Sequence, residues 1–426
     1  MTNKSRALVR LGRLFASLRD ARGWNQQRLA EAAALHVNVV KKVEPGHSAS
    51  IDSLERIAEA LGHRLNLKLE TTDAALKPAD IAWLTAPLDQ LAPNGEPPNI
   101  DYVAAVRQRV QDLIALDNSQ GGDRAAPLAV ALLAAVKQKM RVCRPGPLLT
   151  ELNAAAGEVA EVIGWFAFDA QQHNVVRAHN LESLHFLQLA GDRSIALLTW
   201  QNHAMHEAFV GRPAESLFMA QQVLEGMCGP LSPRLRSLYH IREARALAQL
   251  GDAATARDRF ERATALYWEG VRDTDPPWLW WAQESELTWH QSTAAADCGE
   301  WPRAVELLLQ SVEIASSENR TKFNTTGDAP SRSMLLRHAT LAHAQARAGL
   351  WRAAGDTLAH SARFVPNLQS SRTALQLMGA IRHVEQAGKA AGSTTRDTAS
   401  GLRIKLAESG YDFAALRISL SGIDSL

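Results

Sequence analysis

The 426-residue chain has only three cysteines, Cys143, Cys228 and Cys298, which lie far apart and without a CxxC spacing. That excludes a disulfide framework and offers no structural zinc site, so buried free thiols are the expected state. No run of eighteen apolar residues occurs, and the opening MTNKSRALVR lacks an apolar core of signal-peptide length. Neither a membrane span nor a leader is therefore expected, and the protein is placed in the cytoplasm. Catalytic signatures are missing as well. There is no phosphate-binding loop and no GxSxG elbow; His203 and His206 stand at i, i+3, and His173, His179 and His185 fall within one helical hairpin, but no carboxylate completes an HExxH spacing. No catalytic residue, metal ligand or cofactor is assigned, and the chain is not expected to be an enzyme. The hydrophobic fraction of 46% and charged fraction of 21% are those of an ordinary globular protein, and the length exceeds one core, so two or three units are expected.

The stretch from Asn25 to Gly46, NQQRLAEAAALHVNVVKKVEPG, reads as two short helices joined by a tight turn. Leu29, Ala30 and Ala33 give the first helix one apolar face; Val37, Val40 and Val43 do the same for the second. The second helix carries Asn38, Lys41 and Lys42 on its other face. An amide can pair bidentately with adenine, and the cations can reach guanine or phosphate, which suits a helix lying in the major groove of DNA. Pro45-Gly46 then stops the helix. Residues 1–70 hold twelve Lys plus Arg against seven Asp plus Glu, a net +5, which leaves the rest of the chain near −4 given the overall +1. The basic excess sits on the segment expected to meet phosphate.

This segment with its flanks, about Leu8 to Glu70, resembles the phage-repressor or Xre-type helix-turn-helix family, whose five helices pack around one small core. A first helix over Ala7–Arg22 with Leu11, Leu14, Phe15 and Leu18 on one stripe, and a last helix over SLERIAEALG, fit that spacing. The resemblance implies DNA contacts by Gln26, His36, Val37, Asn38, Lys41 and Lys42, and an ion pair between Arg19 and Glu44. Ala34 stands where the family usually has glycine in the turn, and Val37 replaces a more usual polar residue. After Gly62, Leu65, Leu67 and Leu69 alternate with Asn66, Lys68 and Glu70, a period of two that predicts a short β-strand. It would either pair with its copy in a homodimer or lie as an arm on its own domain. Symmetric pairing would set two recognition helices ~34 Å apart on a pseudo-palindromic operator in double-stranded DNA.

Residues 71–100 are rich in proline (Pro78, Pro87, Pro93, Pro97 and Pro98) and read as a linker. Helical patterning resumes with DYVAAVRQRVQDLIAL, breaks at DNSQGGDRAAP, and resumes with LAVALLAAVKQKM. Beyond Leu149 the chain repeats itself. With Gln171, Gly211, Gly251, Gly299 and Gly349 as turn residues, the position seven before each is Gly164, Ala204, Ala244, Ser292 or Ala342. The position five after each is Val176, Ser216, Ala256, Ala304 or Ala354. All but Val176 are very small, which lets paired helices approach closely. The frame resembles tetratricopeptide repeats, lengthened to spacings of 40, 40, 48 and 50. That resemblance puts Gln201, Asn202, Met205, Arg242, Arg245, Glu286, Trp289, His290 and His343 on a concave wall, with Gln201, Asn202, Met205, Arg242, Arg245, Trp289 and His290 as ligand-binding candidates. Amides could hold a peptide backbone, Arg242 with Arg245 a carboxylate, and Trp289 an aromatic face. The tryptophans of DPPWLWWAQESELTWH would wedge neighbouring repeats or line a pocket, and residues 389–426 form a cap or tail.

The expected fold is therefore all-α: a five-helix helix-turn-helix domain over 1–70 with a short β-strand after it, a linker over 71–100, and a tetratricopeptide-like α-solenoid over 101–388. The arrangement resembles a group of actinobacterial transcriptional regulators, on stretches such as ALDNSQGGDRAAPLAV, EVIGWFAFDAQQH and DPPWLWWAQESELTWH. More distantly it is similar to peptide-pheromone-sensing regulators of Gram-positive bacteria. The resemblance implies a dimeric, sequence-specific DNA-binding regulator whose repeats bind an effector (a peptide, a small molecule or a partner protein). An antitoxin-like protein that grips a partner protein is the alternative, and a scaffold using the helix-turn-helix only to dimerise is a third.

Overall fold

A computed structural model describes residues 6–45, 47, 49, 51–63, 78–93, 95–323 and 332–411. The chain divides into two compact units, Met1–Thr71 and Thr72–Leu426. The first holds α1 (Arg6–Ala21), α2 (Gln26–Ala32), α3 (Val37–Val43) and α4 (Ile51–Ala60). Asn25 caps α2 by accepting from the Arg28 N–H at 2.8 Å, and His36 caps α3 through Nδ1. Phe15, Leu29, Val40, Val43, Leu54, Ile57 and Leu61 close the core beneath them. The turn between α2 and α3 holds Ala34 at φ 52°, in the left-handed region that a glycine would occupy without strain. Arg56 of α4 fastens this turn by donating to the carbonyls of Ala33, at 3.0 Å, and Ala34.

Two expectations are corrected here. The N-terminal unit has four helices among the described residues rather than five. The fold is all-α: no strand occurs among the described residues, and Leu65 to Leu69, where the strand was expected, lie outside them. Alternation over so few residues is weak support for a strand that has no partner within its own unit.

The second unit is helical from α5 (Pro78–Leu91) through α6 (Ile100–Gln120) and α7 (Gly122–Met140). The span read as a linker is thus partly helix. Pro78 opens α5, where a missing N–H costs nothing, and Pro87 is tolerated because Leu84 and Leu88 sit on the core of α6 and α7. The expected loop DNSQGGDRAAP shrinks to Gly121, whose φ of 96° turns the chain between two long helices.

Helix pairs follow: α8 (Pro147–Asp169) with α9 (His173–Ala190), α10 (Arg193–Phe209) with α11 (Pro213–Leu224), α12 (Pro233–Gln249) with α13 (Ala253–Trp268), α14 (Glu284–Asp297) with α15 (Trp301–Phe323), and α16 (Arg332–Arg347) with α17 (Trp351–Ser361). Their turns are the five predicted from the repeat: Gln171, Gly211, Gly251, Gly299 and Gly349 all have positive φ, from 60° to 87°. The ten residues of the frame on either side of these turns are all buried. A Cβ on Gly164 would meet the Asn180 side-chain oxygen at 2.2 Å, which shows how close α8 and α9 lie.

A sixth pair, α18 (Ser371–Ala387) and α19 (Ser393–Glu408), includes much of the segment read as a cap or tail. Ala399, Leu402 and Leu406 share a core with Leu358 and Leu377. This last pair returns to the first: α18 packs beside α8, and α16 beside α6. The seam is polar. Ser370 Oγ donates to Asp169 at 3.0 Å, Arg372 pairs with Asp169 at 3.2 Å, and Ser371 and the Tyr411 hydroxyl reach Asp123 at 3.1 and 3.0 Å.

Ala34→Gly is expected to stabilise the N-terminal unit by about 0.5–1 kcal/mol, relief of left-handed strain exceeding the added entropy of the unfolded chain. Gly164→Ala is expected to cost the C-terminal unit about 1–3 kcal/mol by overpacking α8 against α9. Denaturant unfolding of each variant checks both signs.

Candidate functional site

In the N-terminal unit a half-buried ion pair orients the two helices of the turn. Arg19 Nε donates to Glu44 Oε1 at 2.6 Å and Nη2 to Oε2 at 3.1 Å, while Nη1 donates to the Trp24 carbonyl at 2.8 Å. Gln26 Nε2 donates to Glu44 Oε2 at 2.5 Å, so Glu44 gathers the ends of α1, α2 and α3 on one carboxylate. The hydrogen bond to Glu44 holds the Arg19 guanidinium above its usual range. On the outside, His36, Asn38, Lys41 and Lys42 are all exposed on α3 or its cap. Val37 is instead half-buried against the core, and the Gln26 amide nitrogen is engaged by Glu44. Of the six residues assigned to DNA, four share an open face. Arg22 and Arg28, exposed on either side of Trp24 with guanidiniums 5.9 and 5.6 Å from its ring, add cations the sequence reading did not single out.

In the C-terminal unit, the first helices of successive pairs face inward, and the seven ligand candidates separate into two sets. Gln201, Asn202, Arg242 and His290 form, with Glu161, a buried chain across four helices. Glu161 of α8 accepts from Asn202 Nδ2 at 2.6 Å; Gln201 Nε2 donates to Asn202 Oδ1 at 2.5 Å; Arg242 donates to Gln201 Oε1 from both Nε and Nη2, at 3.2 and 2.8 Å, and its Nη1 lies 3.1 Å from His290 Nε2. These groups satisfy one another beneath the wall. Burial pushes Glu161 up to about 7 and Arg242 down to about 9, and burial together with Arg242 drives His290 well below its usual range.

Met205, Arg245 and Trp289, by contrast, line a narrow internal cavity of about 70 Å³. Phe168, Phe209 and Trp301 complete its aromatic wall, and His343 and Arg372 enter it from α16 and α18. Arg245 is paired with Asp297 at 3.2 Å. Three buried polar atoms in this wall have no hydrogen-bond partner among the described residues: Trp289 Nε1, Asp297 Oδ1 and His343 Nε2. Orphaned groups of this kind are rare in folded proteins and commonly await a ligand or water. The cavity has room for roughly five water molecules at ~10–15 Å³ each. Arg372 belongs both to this wall and to the seam, lying over Phe168 at 4.7 Å while it pairs with Asp169. Arg372 could not be found from the repeat frame, because its contacts come from ring closure, whereas Asp297 is held by Arg245 on the neighbouring pair.

The cysteines depart from expectation, all three being half-exposed rather than buried. Trp278 and Trp281 wedge against Leu197 and Tyr239 between repeats, and Trp278 Nε1 donates to the Ser194 carbonyl at 3.0 Å. Among the described residues no helix is long and apolar enough to cross a membrane.

The fold is that of a helical-repeat protein preceded by a small unit with four helices among its described residues. No family model matches the sequence, and no curated protein matches it. Among solved structures it is similar to a Rap protein complexed with competence and sporulation factor, with a TM-score of 0.40 and 10% identity over 74% of this chain and 100% of that one. It is also similar to PlcR of Bacillus thuringiensis in complex with the peptide PapR7 and DNA, with a TM-score of 0.25 and 15% identity over 61% of this chain and 95% of that one. Likeness at this level carries no conclusion about activity.

The buried titratable groups set a pH dependence of two signs. Glu161, raised in the folded state, holds its proton longer than in the unfolded chain, so its contribution is full below about pH 4.5 and is lost as pH rises through about 7. His206, lowered to about 3, and His338 and His343, lowered to about 4, contribute in the opposite sense: they are neutral when folded and destabilise as pH falls through about 6.5. With three histidines lowered against one carboxyl raised, stability of the C-terminal unit is expected to rise with pH above about 4.5 and to level off above about pH 7. Glu161→Gln is expected to steepen the rise between about pH 4.5 and 7, as read by urea unfolding across pH.

Proposed function

We propose that this protein is a sequence-specific DNA-binding transcriptional regulator whose helical-repeat unit binds an effector. The observation that supports this reading best is the exposed face of α3. His36, Asn38, Lys41 and Lys42 stand open on a helix whose orientation is held by the Arg19–Glu44–Gln26 cluster and whose other face is core. In this reading Asn38 reads a base edge, Lys41 and Lys42 meet phosphate or guanine, and a dimer reads two half-sites. No catalytic role is assigned to any residue.

The cavity favours a small polar effector, or one side chain of a larger one, over an extended peptide held along the wall. An indole N–H, a carboxylate oxygen and an imidazole nitrogen of the residues that line it have no hydrogen-bond partner among the described residues, and the amides that would have held a peptide are tied to each other. A ligand that touched Arg372 would bear on the seam through Asp169. It would shift the population of the closed ring only to the extent that it binds one state more tightly.

The test is fluorescence anisotropy on DNA from the protein's own promoter region and on DNA selected from random sequence. Affinity is expected to fall steeply between about 50 and 200 mM salt; Lys41→Ala should lower the salt slope by about 1, and Asn38→Ala should cost about 1–3 kcal/mol at one base position. Binding that is weak, insensitive to salt and unchanged in both variants would refute the DNA-binding reading.

A further inference from the structure

We propose that His203, His206 and Glu207, on one face of α10, form a binding site for a divalent transition-metal ion of the zinc class. The inference is independent of the DNA-binding reading. His203 Nε2 lies 3.8 Å and His206 Nδ1 3.5 Å from Glu207 Oε1, and the three ligand atoms all lie within 4.8 Å of one another. Ligand atoms around a tetrahedral zinc ion, with bonds of about 2.0–2.1 Å, stand roughly 3.3 Å apart. Small side-chain rotations therefore bring this set to coordination distance. The sequence HAMHE is not the HExxH of a zinc hydrolase, yet i, i+3 and i+4 on a helix share a face.

A second observation points to a ligand. His203 and His206 are 1% and 2% exposed, and His203 Nε2 with both ring nitrogens of His206 has no hydrogen-bond partner among the described residues. Asn180 Oδ1, beside them on α9, is likewise buried and unpartnered, while its Nδ2 sits 3.4 Å from His203 Nδ1. Four orphaned atoms at one place call for a partner. Turning the Asn180 amide by 180° would let Oδ1 accept from His203 Nδ1–H, which frees the Nε2 lone pair to face the ion, the arrangement that orients histidine ligands in metal sites.

Glu207 is not idle: Arg177 Nη1 donates to its Oε1 at 2.6 Å, and Arg212 Nη1 to its Oε2 at 3.2 Å. Arg177 is 39% exposed and also reaches Glu215 at 3.0 Å, so it can turn wholly to Glu215 when an ion takes Oε1. Arg212 can stay on Oε2. Two imidazoles and one carboxylate leave a fourth position for water. Such an ion would tie α10 to α9 through Asn180, next to Phe168, whose ring meets His206 edge-on at 6.1 Å and lines the cavity.

The experiment uses the untagged full-length chain, stripped with a chelator and titrated with Zn²⁺ and, separately, Co²⁺. Saturable uptake of one equivalent is expected, with visible Co²⁺ bands of a four-coordinate ion. His203→Gln and His206→Gln should each weaken binding about tenfold or more, Asn180→Ala about tenfold, and His360→Gln, in a distant pair with His338, not at all. If a variant does not fold, zinc-edge X-ray absorption of the unaltered protein decides, with two imidazoles and oxygen ligands expected. No saturable uptake, an unchanged affinity in folded His203→Gln and His206→Gln, or a spectrum without imidazole scattering would overturn the proposal and leave water as the partner of these nitrogens.

Discussion

The C-terminal unit depends on how closely two helices can pack when the residues at their crossing have almost no side chain. Gly164, Ala204, Ala244, Ser292 and Ala342 on the first helices, and Val176, Ser216, Ala256, Ala304 and Ala354 on the second, are all buried. At that separation buried hydroxyls reach across to the partner helix: Ser183 donates to the Gly157 carbonyl at 2.8 Å, Ser237 to Ala263 at 2.7 Å, and Ser311 to Ser285 at 2.7 Å. A larger side chain at the frame positions would push the helices apart, lose these bonds and strain a packing that has few voids to absorb it.

Close pairing has a consequence for the inner wall. With the second helices covering the outside, the polar faces of the first helices turn toward one another, and charged groups are buried that would otherwise meet water. The chain from Glu161 through Asn202 and Gln201 to Arg242 and His290 is the result: Asn202 donates to Glu161 and Arg242 to Gln201 across neighbouring repeats, and Gln201 donates to Asn202 within α10. A buried charge is tolerated only when paired or hydrogen-bonded, and the lowered Arg242 and raised Glu161 record the burden of doing this away from solvent. Such a chain fixes the register of four helices. It also removes from the wall the amides and the arginine that an open solenoid would have offered to a peptide.

Ring closure then creates what no single repeat contains. When α18 returns to α8, Arg372 comes within reach of Asp169 and Phe168 and adds to the wall of the cavity among Met205, Arg245, Trp289 and His343. Its three polar atoms without a hydrogen-bond partner among the described residues belong to α14 and α16, while Phe168 of α8 and Arg372 of α18 complete the lining, which as a whole is a property of the closed ring.

Much of this was written in the chain. The spacing of Leu29, Val40 and Val43 determined the two helices of the turn, the pairing of Arg19 with Glu44 was anticipated by the resemblance, and the repeat frame located five turns and ten packing positions, including Gln171, which carries a glycine's φ without being one. Local periodicity and small residues suffice for these because their consequences lie within one helix or between sequence neighbours. Proline misled over 78–91, where burial of Leu84 and Leu88 outweighs one lost hydrogen bond, and alternation suggested a strand that the described structure does not contain. What only the tertiary structure decided is which inward polar residues face the cavity and which satisfy one another. That choice rests on contacts between residues 40 to 290 positions apart, as in Glu161 with Asn202 or Asp123 with Tyr411, and no pattern along the chain encodes the distance at which a ring closes.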